Sequence, residues 1–185
     1  MCFNGHKNWY SEWFEQSKVA VNPIANGAWV GNMVAFVDVL QMSQVPKAVS
    51  IVNAGDLFIE FNSAKKYNYQ VVANGNRITV VQNNATSLWS NLLVGLSSGQ
   101  NYTYANFSGT GIALIIQICS VRVGIVNYAK VSIFLKDGIQ TSKCGTPLTF
   151  SPTYLPTPPP TPTRSPTSGP TILQTPDPTP PPTVE

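Results

Sequence analysis

The chain has 185 residues, 43 % of them hydrophobic, which gives room for one core of ordinary size plus a tail. Only 10 % are charged, and the net charge of +3 is spread out, with Lys65-Lys66 the sole adjacent basic pair, so there is no basic stripe to follow a phosphate backbone. The richest apolar run, "GIALIIQICSVRVGIV", is interrupted by Gln117, Ser120 and Arg122, which excludes it as a membrane-crossing helix and suits a buried strand.

The opening, "MCFNGHKNWYSEWF", has none of the basic, apolar and small-residue succession of a secretory signal, and reads as the interior of a packed element continued from a longer chain. Residues 4–16 are predicted as a short helix. Asn4 can cap it, Trp9 and Trp13 fall one turn apart, and Tyr10 and Phe14 repeat that spacing. A helix this short is marginal alone in water, and little of the downstream sequence looks helical enough to oppose its rings. The expectation is a weakly held element whose deletion, over residues 1–20, leaves the following domain intact.

From about residue 28 the pattern turns to strands. "WVGNMVAFVDVL" is apolar on both faces, whereas "DLFIEFN" puts Leu57, Ile59 and Phe61 on one face and Phe58 and Glu60 on the other. "VVANGNRITVV" predicts a hairpin with a type I′ turn at Asn74-Gly75. "SLWSNLLVGL", "IALIIQICSV" and "AKVSIFLKDG" follow as strands, the last with Val131, Ile133 and Leu135 inward and a stop at Asp137-Gly138. Six to eight short strands between Gly, Asn and Ser turns indicate a mainly β chain with a β-sandwich over residues 21–150. Residues 151–185 alternate proline with threonine and lack the large apolar residues of a core, so they read as an extended, disordered tail, either a glycosylated stalk or a linker.

Cys119 and Cys144 can pair as a clasp on the last strands, leaving Cys2 for a partner outside the chain; the alternative is three free buried thiols. Asn84, Asn101 and Asn106 each begin an N-glycosylation acceptor pattern, which favours an extracellular or cell-wall setting. Chemistry is sparse. His6 is the only histidine, so neither a two-His metal site nor a Ser/His/Asp set can be assembled, and no cofactor is expected. Asp56 and Glu60 read as a strand start and an outward strand position rather than as an acid/base pair.

The stretch Cys2-Phe3-Asn4, with Lys7 and Trp9 after it, resembles the segment that follows the zinc site in gametolysin-like metallopeptidases, the peptidase M11 family of secreted algal proteases. "MVAFVDV", "LFIEFNSAKKYN", "NLLVGLSSGQNYTYANFSGTG" and "AKVSIFLKDGIQTSKC" are similar, in that order, to the β-rich segments that come next in the family, so the resemblance spans about residues 1–144. It implies that residues 1–20 are the last helix of a metzincin-like protease domain. The zinc and the H-E-x-x-H-x-x-G-x-x-H motif of the intact enzyme would lie in an upstream catalytic domain, because this chain has neither the motif nor a Met-turn context at Met1. The departure at "KKYNYQ", where many relatives have Gly and Thr after the Asn, touches loop detail only. What the resemblance implies is the catalytically inert C-terminal part of a secreted zinc endopeptidase acting on cell-wall or matrix glycoprotein. The competing reading is a free-standing secreted β-sandwich that binds or builds wall material.

Overall fold

The computed structural model describes residues 9–10, 17–38, 45–54, 57–83 and 90–145. All of these belong to one compact unit, Met1–Thr149. The predicted tail lies outside the described residues, as does the predicted helix apart from Trp9 and Tyr10, which are helical.

The described chain is mainly β, with nine strands: β1 (Lys18–Val21), β2 (Trp29–Val34), β3 (Ala48–Ile51), β4 (Leu57–Asn62), β5 (Arg77–Asn83), β6 (Ser90–Leu96), β7 (Asn101–Tyr104), β8 (Leu114–Arg122) and β9 (Tyr128–Leu135). A single turn of helix, α1 (Pro23–Asn26), sits between β1 and β2. Asn22 caps it by accepting from the amides of Ile24 and Ala25, and Pro23 supplies a first helical residue that needs no amide partner. One sheet has five strands in the order β1-β3-β4-β5-β6, the other four in the order β2-β9-β8-β7. Every pairing is antiparallel except that of β1 with β3.

The period of two along each strand decides what the sheets bury. Leu57, Ile59 and Phe61 of β4, with Val49, Ile51, Ile78 and Val80 beside them, share one apolar cluster with Met33, Ile116, Ile118, Val131 and Ile133 of the second sheet. Each of these side chains contributes roughly 1.5–3 kcal/mol when fully buried, so this cluster is the main force joining the two sheets. The inward sets expected for β4 and β9 are both found in it. On β2, the Trp29 indole lies across Gly31 where a Cβ would be, so no larger residue fits there.

The predicted hairpin at Asn74-Gly75 is not formed. β5 takes β4 and β6 as its partners, and Val71 and Val72 are in no strand, Val72 being almost fully exposed. A turn does occur, but the positive φ angles fall on Asn74 (56°) and Asn76 (59°), which is not the pair a type I′ turn needs. Side-chain amides hold this connection in place of a ladder. Asn62 Nδ2 donates to the Asn74 carbonyl (3.1 Å), Asn76 Oδ1 accepts from the Ala64 amide (3.1 Å), and the Asn74 side chain is seated over Gly95 of β6. Pairing with β4 wins because it puts Ile78 and Val80 into the core, which a local hairpin with Val71–Ala73 would not.

The outer face of the five-stranded sheet is also buried. Phe58, Glu60 and Val81 point away from the shared core, yet each is at most 2 % exposed. Trp9 and Tyr10 both stand on Phe58, their ring centroids 6.0 Å from it, and the Lys18 ammonium lies 5.8 Å from the Trp9 ring. For Trp9 and Tyr10 this corrects the expectation that the helix's rings have no surface to oppose them; Trp13 and Phe14 lie outside the described residues. The expected boundary at residue 20 also falls inside β1.

Candidate functional site

At the end of the sheets where β2, β4 and β8 finish, three connections are tied together by one carboxylate. The strand β2 gives way after Val34 because the Ala35 amide bonds to the Asn127 carbonyl (2.9 Å), and a short 3-10 turn, Phe36–Asp38, follows. Asp38 is thereby carried inside, with a side chain fully removed from solvent. Its Oδ2 accepts from the Asn127 amide (2.8 Å), and its Oδ1 lies 3.0 Å from the Lys65 ammonium and 3.1 Å from that of Lys66. Lys65 also donates to the carbonyls of Gly124 and Ile125, and Lys66 to that of Val37 (2.9 Å). Asn127 completes the knot by accepting from the Gly124 amide (2.7 Å) and donating to Ser63 Oγ (2.6 Å).

Burial alone would raise the Asp38 carboxyl, but the Asn127 amide and the two ammonium groups outweigh it and hold the group below the usual carboxylate range. An acid kept ionised by three donors serves here to fasten the three connections to one another. Sequence reasoning missed this cluster. Its signal was a lone Asp inside the apolar run "VAFVDVL", which demands a buried partner, and the only paired lysines in the chain. Lys47 is a buried cation: its ammonium donates to Ser17 Oγ (2.8 Å), and burial pushes its pKa down to about 8.

A second constellation closes the far side of the four-stranded sheet. Cys119 is the extra residue of a bulge in β8, between Ile118, opposite Val131, and Ser120, opposite Lys130. It is bonded to Cys144, with a Cα separation of 5.1 Å. The segment after β9 returns over the outer face of its own sheet. Asp137 turns it by accepting from the amides of Ile139 and Gln140, Lys143 donates its amide to Ser132 Oγ (3.0 Å), and Lys130 holds the Cys144 carbonyl (2.7 Å). The clasp closes a loop of 25 residues, worth about 3 kcal/mol if the gain is unfolded-chain entropy. Replacing Cys119 and Cys144 together by serine should lower the denaturation midpoint accordingly, and chemical unfolding with and without reductant measures it; equal midpoints would mean that the return segment holds without the bond.

The acceptor Asn101 lies with Thr103 on the exposed side of β7, an edge strand, and Asn106 is exposed at the following corner. Asn106 has a φ of 51°, and its Oδ1 accepts from the Gly111 amide (2.8 Å), which leaves the nitrogen as the atom a glycan would take. Glu60 faces outward on β4 as expected, but is buried rather than solvated. Cys2, His6, Asp56 and Asn84 lie outside the described residues.

Fold and site together define a mainly β, two-sheet, disulfide-clasped domain. Among the described residues no group of three His, Cys, Asp or Glu is arranged to hold a metal, and no helix is long and apolar enough to cross a membrane. No protein-family model, curated protein or solved structure matches this chain.

Proposed function

We propose that the chain is the C-terminal part of a secreted gametolysin-like zinc metalloendopeptidase, a β-sandwich accessory domain that holds an upstream catalytic domain against cell-wall or matrix glycoprotein. The observation that carries this reading is the Cys119–Cys144 clasp, a cross-link that persists in oxidising compartments. The exposed acceptors Asn101 and Asn106 point the same way. The domain itself is inert in this reading, since the Asp38 carboxylate is consumed by lysines and the chain's only histidine cannot supply a zinc site. A specific observation favours the second reading, a free-standing secreted wall-binding domain: Trp9 and Tyr10 pack on Phe58 of the β-domain itself.

The purified chain should cleave no Pro-rich glycoprotein, with or without zinc. Joining it to the segment encoded upstream should produce chelator-sensitive cleavage, and changing His6 to Ala in that longer protein should leave the rate nearly intact. An upstream reading frame without H-E-x-x-H, or one that opens with a signal peptide directly before Met1, would select the free-standing domain.

A further inference from the structure

The loops fastened by Asp38 carry apolar side chains where solvent should favour polar ones. Val72 is 96 % exposed and Ile125 89 %, and Tyr69 and Val123 are exposed beside them in the same two connections, 63–76 and 123–127. These connections are held to each other directly, through Lys65 on the Gly124 and Ile125 carbonyls and Asn127 on Ser63. The fastening keeps hydrophobic tips presented instead of letting them fold back onto the core.

Among the described residues, the exposed charged side chains around the tips are all basic. Lys65 and Lys66 share the single carboxylate of Asp38, and Arg77 and Arg122, at the strand ends behind the tips, are exposed. Of the described connections at this end, 35–38 carries the buried Asp38, and 45–47, 63–76, 97–100 and 123–127 contain no Asp or Glu. Asp137, the remaining described acid outside Asp38 and Glu60, belongs to the turn after β9 at the opposite end. Strand alternation sends Arg77, next to inward Ile78, and Arg122, next to core-packed Val121, to opposite outer faces. The cations therefore ring this end and do not converge on a point, which suits an extended anionic surface and not a small anion.

We propose that this end of the domain docks on an anionic lipid surface, with Val72 and Ile125 entering the interface and Lys66, Arg77 and Arg122 facing the headgroups. Exposed aliphatic tips favour lipid over polysaccharide, because Val72, Val123 and Ile125 offer apolar area for burial, and the one exposed ring described beside them, Tyr69, suits the headgroup level of a bilayer. The inference stands independently of the peptidase reading, and its test involves no proteolysis.

The full chain should co-sediment with vesicles of about one part phosphatidylserine to two parts phosphatidylcholine, and far less with phosphatidylcholine alone. Val72→Glu combined with Ile125→Glu should abolish co-sedimentation, while Arg77→Gln and Arg122→Gln should each weaken it on the order of fivefold. Ile139, 87 % exposed in the turn after β9, supplies the control: Ile139→Glu should bind like the parent. All these positions are on the surface, so unchanged thermal transitions verify the fold. Failure of the parent chain to sediment with either vesicle overturns the proposal, as does equal loss in Ile139→Glu. Retention on a sulfated polysaccharide column without vesicle binding also overturns it, in favour of a wall polyanion.

Discussion

Deleting residues 1–20 should destabilise the β-domain severely, lowering its unfolding free energy by about 4 kcal/mol or more. Three physical losses coincide. The deletion removes most of β1, whose register with β3 runs from Lys18 opposite Ala48 to Val21 opposite Ile51, and so strips the parallel partner from an interior strand. It also removes residue 17, whose carbonyl accepts the Lys47 amide (2.9 Å) and whose hydroxyl accepts from the buried Lys47 ammonium (2.8 Å), so two hydrogen bonds to a buried cation are lost. Finally it uncovers Phe58 by taking away the Trp9 and Tyr10 rings. Since a domain of this size has only about 5–15 kcal/mol of net stability, the truncated chain should melt far earlier or fail to fold. Comparing thermal transitions of residues 1–185 and 21–185 is the direct measurement. Coincident transitions would mean that the first segment is a passenger. The substitutions Trp9→Ala and Tyr10→Ala separate the ring contribution from that of β1, and should together account for the smaller part of the loss.

Asp38→Ala should cost about 3–5 kcal/mol, the range for removing one partner of a buried ion pair. The substitution leaves two ammonium groups facing each other and orphans the Asn127 amide, whose other uses of the side chain, to Gly124 and Ser63, depend on that backbone position. Asp38→Asn should recover part of the loss, because an amide oxygen can still accept from Asn127. Lys66→Ala should cost much less than Asp38→Ala, since its side chain is 40 % exposed and solvent screens its charge. The pH dependence follows from the lowered folded-state value of Asp38. A depressed carboxyl stabilises the fold at every pH above its unfolded value of about 3.9, and that contribution is lost as pH falls through the folded value. Urea midpoints between neutral and acid pH should therefore converge for the parent and Asp38→Asn. Parallel curves across that range would show that Asp38 is not the group titrating.

The strands that run through the core could be located from the sequence because burial imposes period two wherever a strand has one face in oil. "DLFIEFN" and "AKVSIFLKDG" declare their inward residues for that reason, and the cysteine pair is readable from its place on the last strands. Mainly β character and the clasp were thus within reach of residue order alone. Four-residue strands were not. β1, β3 and β7 are too short to show a period, and exist because a neighbouring strand offers them unpaired amides and carbonyls. Asn74-Gly75 has the local chemistry of a hairpin, but tertiary pairing of β5 with β4 buries more apolar surface than the local turn could, and so overrides it. The same holds for the groups that fasten the fold. Asp38 meets Lys65 across 27 positions of chain and Asn127 across 89, and Trp9 reaches Phe58 only once β4 is in place. Hydrogen bonds and ion pairs leave no periodic trace in a sequence, since either partner alone is an ordinary polar residue; only the packed sheets bring them within 3 Å of each other and out of water.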